Sequence, residues 1–177
     1  MSDKATQIWV DKSDFVRPIN ELAVMPPHDR TIFQIIQISK MKIIALIGKD
    51  KCGKTETLTT VYLKILDNKG DSTCRKTEGN PIFKDFSDIV KYKGLKVAFF
   101  TMGDYSTKTI EAIKIYKALN IDVLVIACNI KFVKPIKLIK EYNHHFEEKT
   151  FIKSNTRTDH QTANNSDACK IYRLIRQ

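Results

Sequence analysis

Residues 42–66 read Lys42-Ile43-Ile44-Ala45-Leu46-Ile47-Gly48-Lys49-Asp50-Lys51-Cys52-Gly53-Lys54-Thr55-Glu56-Thr57-Leu58-Thr59-Thr60-Val61-Tyr62-Leu63-Lys64-Ile65-Leu66. Three kinds of structure follow one another here. Lys42–Ile47 is a short apolar run, typical of a strand buried on both faces. Gly48 to Gly53 is a glycine-bounded turn. From Lys54 onward, Leu58, Val61, Tyr62, Ile65 and Leu66 fall at i, i+3, i+4, i+7 and i+8, the apolar stripe of an amphipathic helix. Asn68-Lys69-Gly70 then ends that helix.

Outward from this unit, strands and helices alternate. A short strand is expected near Ser72–Lys76. Phe86–Tyr92 and Leu95–Met102 are rich in β-formers and joined at Lys93-Gly94, which predicts an antiparallel hairpin. Thr107–Leu119 is helical, with Ile110, Ile113, Tyr116 and Leu119 on one side. Ile121–Cys128 is a second buried strand. Pro135–Phe146 is expected as a helix, with Pro near its start and Leu138, Ile139, Tyr142 and Phe146 on one side. Thr150–Lys153 is expected as a last strand, and Ser166–Arg176 as a closing helix. Upstream, Gln7–Val10 reads as a short strand, Pro26-Pro27 interrupts regular structure, and Thr31–Lys40 fits helix or strand equally. Residues 1–40 therefore form a lead-in to one domain spanning 1–177. The alternation predicts an α/β fold, a three-layer α/β/α sandwich around a mostly parallel sheet with an antiparallel hairpin.

Gly48-Lys49-Asp50-Lys51-Cys52-Gly53-Lys54-Thr55 matches G-x-x-x-x-G-K-[ST] at every fixed position, after a buried strand and at the opening of a helix. A triphosphate carries dense negative charge, and such a loop wraps it with successive backbone N–H groups from Asp50, Lys51, Cys52 and Gly53. Gly48 and Gly53 let the backbone come close. Lys54 reaches the β and γ oxygens as a point charge. Thr55 offers its hydroxyl oxygen to Mg²⁺, with Glu56 beside it in the first helical turn. The helix that opens at Lys54 aims its positive dipole end at the same phosphates.

The segment resembles the Walker A loop of P-loop NTPases. That resemblance implies the family's fold, a bound nucleoside triphosphate with Mg²⁺, and a second acid at the end of another sheet strand that helps hold the metal. The best match for that acid is Asp104, at the end of Val97-Ala98-Phe99-Phe100-Thr101-Met102-Gly103-Asp104. The usual pattern places the acid directly after the apolar run, whereas Gly103 precedes it here. Asp122 lies at the wrong end of its strand. Lys54 and Asp104 are thus the expected catalytic pair, and Thr55 and Asp104 the expected metal ligands. The order of loop, helix, hairpin and Gly-Asp is similar to that of small GTPases, but the guanine-reading N-K-x-D is not matched: Asn129-Ile130-Lys131-Phe132 lacks the Asp, and Asn155–Asp159 has the wrong spacing. ATP is expected over GTP.

Composition bounds the function classes. The chain has 177 residues, 42% hydrophobic and 28% charged, the balance of a globular domain. Its most apolar stretch, Ile121–Cys128, is far shorter than the about 20 residues of a membrane-spanning helix, and the first residues do not resemble a secretory signal. A cytoplasmic protein is expected. Cys52, Cys74, Cys128 and Cys169 are too scattered for a zinc site and are read as free thiols. The net charge of +10 comes from 30 Lys and Arg spread along the chain, which favours a solvated basic surface over a nucleic-acid interface. His144-His145, His28 and His160 form no metal motif. Arg75 and Arg157 are the candidates for a phosphate-clamping lid, although neither lies in a lid motif.

The expected function is an ATP-binding NTPase or nucleotide-dependent switch that hydrolyses slowly. A phosphotransferase acting on a small acceptor is the alternative within enzymes. A nucleotide-regulated module that contacts nucleic acid is the alternative outside them.

Overall fold

The computed structural model describes residues 41–153 and 156–177. The expectations for Gln7–Val10 and Thr31–Lys40, and His28, lie outside the described residues. Strand β1 spans Lys42–Gly48, and helix α1 spans Lys54–Asp67. Two-residue strands β2 (Asp71–Ser72) and β3 (Lys76–Thr77) follow, then a 3₁₀ turn at Pro81–Phe83. The hairpin is β4 (Phe86–Tyr92) and β5 (Leu95–Phe100). Helix α2 (Ser106–Ala118), strand β6 (Val123–Asn129), helix α3 (Val133–Ile139), strand β7 (Asn143–Glu148) and helix α4 (Arg157–Leu174) complete the order.

These strands form one seven-stranded sheet ordered β2-β4-β5-β6-β1-β7, with β3 also paired to β4. β1 lies parallel to β6 and β7, and β5 lies parallel to β6. β4 runs antiparallel to β5 and to the short β2 and β3. The sheet is therefore mixed and mostly parallel along its long strands, as the apolar runs at 42–47 and 121–128 predict. Its two faces carry separate cores. Ile44 and Leu46 pack with Leu58, Val61 and Ile65 of α1 and with Ala168 and Ile171 of α4. Ile43 and Ala45 pack with Ala112 and Ile113 of α2 and with Ile139 of α3. Helices thus cover both faces, and the alternation of β1 side chains decides which residue meets which layer.

Four expectations near the C-terminus and the hairpin need correction. The helix expected at Pro135–Phe146 is only α3, and residues 143–148 pair in parallel with β1, from Lys42 opposite Asn143 to Ile47 opposite Glu148. The stripe that suggested a longer helix is genuine burial, since Leu138, Tyr142 and Phe146 all pack on the α2/α3 face of the sheet. A spacing of four residues returns a side chain to the same side in a helix and in a strand alike. The free edge of β1 then decides in favour of a strand. His144 and His145 accordingly sit on β7, where His144 meets Phe146 edge-on. Thr150–Lys153 is not a strand, because the Thr150 N–H leaves the sheet to bond Asp167 at 2.9 Å. The closing helix begins at Arg157, nine residues before the expected Ser166. Its first half lacks large apolar residues and packs through Ala163 and Asn164, so no apolar stripe marks it. The cue that does mark it is Thr156, whose hydroxyl caps the Asp159 N–H at 3.4 Å in a T-x-x-D pattern. The single strand expected near Ser72–Lys76 is split in two, because the Cys74 N–H turns aside to the Asp88 carboxylate at 3.0 Å.

No helix among the described residues is long and apolar enough to cross a membrane.

Candidate functional site

The C-terminal ends of β1, β5, β6 and β7 open on one side of the sheet, the side where parallel sheets hold ligands. The loop from Gly48 to Thr55 lies there, directly between the end of β1 and the start of α1. Gly53 makes the bend into the helix with φ of 89°, a left-handed value at which a side chain is strained. Thr57 N–H already bonds the Gly53 carbonyl at 3.0 Å, so the helix begins immediately. Helix α1 buries Leu58, Val61 and Ile65, which fixes its N-terminus against the cleft.

Lys54 is almost fully buried, at 5% exposure. Its ammonium donates to the Lys49 carbonyl at 2.7 Å, to the Gly48 carbonyl at 3.4 Å and to Asp104 Oδ1 at 3.1 Å. The loop therefore closes around its own lysine. Asp104 is half exposed, so the ion pair sits at the mouth of the site and is open to exchange. Asp50 of the loop accepts from the Asn129 amide at the end of β6 and lies 3.6 Å from Lys131. That ties the loop to the neighbouring strand.

Thr55 donates to Asp85 Oδ1 at 2.6 Å. Thr101 donates to the same oxygen at 3.1 Å while accepting from the Phe86 N–H at 2.8 Å. Burial pushes the Asp85 carboxyl above the ordinary carboxylate value. The bonds from Thr55 and Thr101 offset part of that rise, and the nearby Asp104 charge adds to it. A half-buried acid, held by the hydroxyl that follows the loop lysine, suits a small hard cation. Magnesium commonly takes one or two carboxylates, with phosphate and water oxygens completing its shell. Thr55 and Asp85 fit that chemistry.

The sequence analysis expects Asp104 in this role; in the structure Asp104 bonds Lys54, and Asp85 is the acid bonded to Thr55. Thr101 occupies the position directly after the apolar run of β5, where an acid is expected. An acid does lie beside Thr101, brought from the adjoining strand, because β4 is antiparallel to β5 and its first residues meet the end of β5, with Ser87 opposite Phe100. Asp85 stands just before β4. Sequence spacing alone does not reveal this, since the pairing register puts Asp85 beside Thr101. Gly103 has a steric reason. A Cβ there would lie 2.7 Å from both the backbone carbon and the Cβ of Ala127 in β6. Gly103→Ala is expected to lower stability by about 1–3 kcal/mol through overpacking, read as a fall in the thermal midpoint.

The loop, Asp85, Asp104 and the segment after β7 line one cleft of about 720 Å³, a size typical of cofactor sites. Glu56 lies at its rim and accepts from the Asn164 amide at 2.9 Å. Cys52 lines it as a free thiol. Arg75 is not among the lining residues, and its guanidinium stacks on Phe86 and Tyr62 at 4.3 and 4.6 Å from the ring centres. Arg157 opens α4 without lining the cleft. His160 does line it.

No family model, curated protein or solved structure matches this chain. The reading of the cleft therefore rests on its residues and their geometry.

Proposed function

We propose that the cleft binds a nucleoside triphosphate, with ATP as the expected nucleotide, together with Mg²⁺, and that the chain is a P-loop NTPase that hydrolyses slowly or switches state with nucleotide. The observation that carries this reading is the convergence of Lys54, Thr55 and Asp85 at one turn, at the N-terminus of a helix and at the C-terminal ends of the parallel strands of a mixed sheet. The backbone N–H groups of the loop and the dipole of α1 draw the phosphates in. Phosphate oxygens compete with Asp104 for the Lys54 ammonium, which is positioned to neutralise charge between the β and γ groups. Thr55 and Asp85 would hold the cation, whose chemistry is to neutralise charge that develops on the leaving oxygens. Asp104, displaced from Lys54, keeps a carboxylate near the terminal phosphate that can orient a water.

The test is isothermal titration with ATP and with GTP, each with and without Mg²⁺, on the native chain and two variants. Asp85→Asn is expected to weaken ATP binding in Mg²⁺ by about tenfold, toward the affinity measured without the metal. Asp104→Asn is expected to keep the Mg²⁺ dependence. If the two variants exchange these behaviours, Asp104 is the metal acid after all. If no nucleotide binds to the native chain, the reading fails.

A phosphotransferase is the second reading, supported by the shape of the cleft beyond Thr55. There it continues past Asp85 to the exposed rings of Phe83 and Tyr105, where a small acceptor has room. A kinase yields ADP in proportion to a phosphorylated product, and an NTPase yields ADP and free phosphate alone.

A further inference from the structure

Helix α4 and the segment after β7 form the side of the cleft opposite Asp85 and Asp104. The sheet order settles the sides, because β7 flanks β1 on one edge while β6, β5 and β4 lie on the other. Asp85, Thr101 and Asp104 therefore approach the loop from one direction, and Thr150, Phe151, Ile152 and Asn164 from the other. A Cβ at Gly53 would meet Asn164 Oδ1 at 3.0 Å and Lys149 Cε at 3.6 Å, so this second wall touches the loop itself. Thr55 and Asp85 mark the end where the terminal phosphate and metal belong. The rest of the nucleotide must then run toward the second wall.

That wall is held rigidly. Lys149 and Asp167 pair at 2.8 Å with side chains that are 1% and 0% exposed. Asp167 also accepts from the Thr150 N–H at 2.9 Å and the Thr150 hydroxyl at 2.7 Å. The chain is thus clamped at residue 150, and the next two residues project into the cleft. Phe151 presents its ring at 70% exposure. Among the described residues, the backbone groups of Phe151 and Ile152 have no hydrogen-bond partner. Of the four acids that line the cleft, Asp50 is engaged by Asn129 and Glu56 by Asn164, while Asp85 and Asp104 stand on the opposite side, at the phosphate end. None is left to accept from the paired N–H donors on the edge of guanine.

We propose that Phe151 is a stacking platform for the nucleotide base, and that the free backbone groups of Phe151 and Ile152 read the edge of adenine. The proposal rests on the triphosphate reading above and adds the base to it. An aromatic ring under a base strengthens binding whatever the base, while the edge contacts and the absence of a free carboxylate select adenine over guanine.

The experiment titrates the full chain in Mg²⁺ with ATP, GTP and inorganic tripolyphosphate, which has phosphates and no base. The native chain is expected to bind ATP about tenfold or more tighter than tripolyphosphate, and tighter than GTP. Phe151→Ala is expected to lose about tenfold in ATP affinity with tripolyphosphate unchanged, and Phe151→Trp to restore ATP. The ring is exposed, so circular dichroism of the variant should match the native protein. Equal ATP affinity in native and Phe151→Ala proteins overturns the platform. So does an equal loss of ATP and tripolyphosphate, which would mean a general effect on the loop. GTP binding as tight as ATP overturns the adenine edge. Binding of tripolyphosphate with no advantage for ATP leaves the phosphate site standing and removes the base site. No binding of either removes both.

Discussion

Lys54→Ala is expected to lower the affinity for ATP in Mg²⁺ by about a hundredfold while the thermal midpoint moves by only a few degrees. The two halves of this expectation have separate causes. Charge-assisted hydrogen bonds from a buried ammonium to phosphate contribute about 3 kcal/mol at the upper end of their range, which is a factor of about a hundred in affinity. Lys54 is 5% exposed, so water does little to screen those bonds. Stability depends on what the lysine leaves behind. Its partner Asp104 is 46% exposed and can be solvated when unpaired. The two carbonyls that lose a donor lie in a loop open to the cleft. Lys49→Ala and Lys51→Ala make useful controls, since both side chains are exposed and should cost ATP affinity far less. Full ATP binding by Lys54→Ala would show that the loop does not hold the phosphates.

Much of this was legible because the deciding segment states its structure locally. A continuous apolar run, a glycine-bounded turn and a 3.6-residue stripe follow one another within 42–66, and each has one physical reading. The hairpin was equally plain, because two β-rich runs meet at Lys93-Gly94, where Lys93 and Gly94 both take positive φ. What the sequence hid depends on pairing across the sheet. Asp85 reaches Thr55 only because β4 lies antiparallel beside β5. β7 is a strand only because β1 has an open edge. The spacing of Tyr142 and Phe146 fits a helix and a strand equally, and tertiary pairing breaks the tie.

The second wall of the cleft was hidden for a different reason. Its anchor is a pair of charges, Lys149 and Asp167, in a sequence where 28% of residues are charged. Nothing in the pattern separates a buried pair from a solvated one. Burial reverses the usual weight of such an interaction. At the surface an ion pair contributes little, whereas a pair with side-chain exposures of 1% and 0% makes its partners depend on each other.

Asp167→Asn is therefore expected to destabilise the protein by about 3–5 kcal/mol, seen as a fall of roughly 10 °C in the thermal midpoint. The size follows from the asymmetry of the pair. Without the carboxylate charge, the buried Lys149 ammonium keeps only neutral acceptors, such as the Thr150 carbonyl at 3.1 Å. Lys149→Met should cost less, because Asp167 keeps both bonds from Thr150 and has Lys170 at 3.5 Å. Acidity supplies an independent check. Burial by itself would raise the Asp167 carboxyl, but the bonds from Lys149 and Thr150 outweigh it and hold the group below its ordinary value of 3.8. A carboxyl depressed in the folded state contributes stability that is fully present above the ordinary value and is lost as pH falls through the folded one. The gap between native protein and Asp167→Asn should therefore be full near neutral pH and shrink in that acid window. A gap that stays constant into acid would mean that the pair contributes through packing rather than charge.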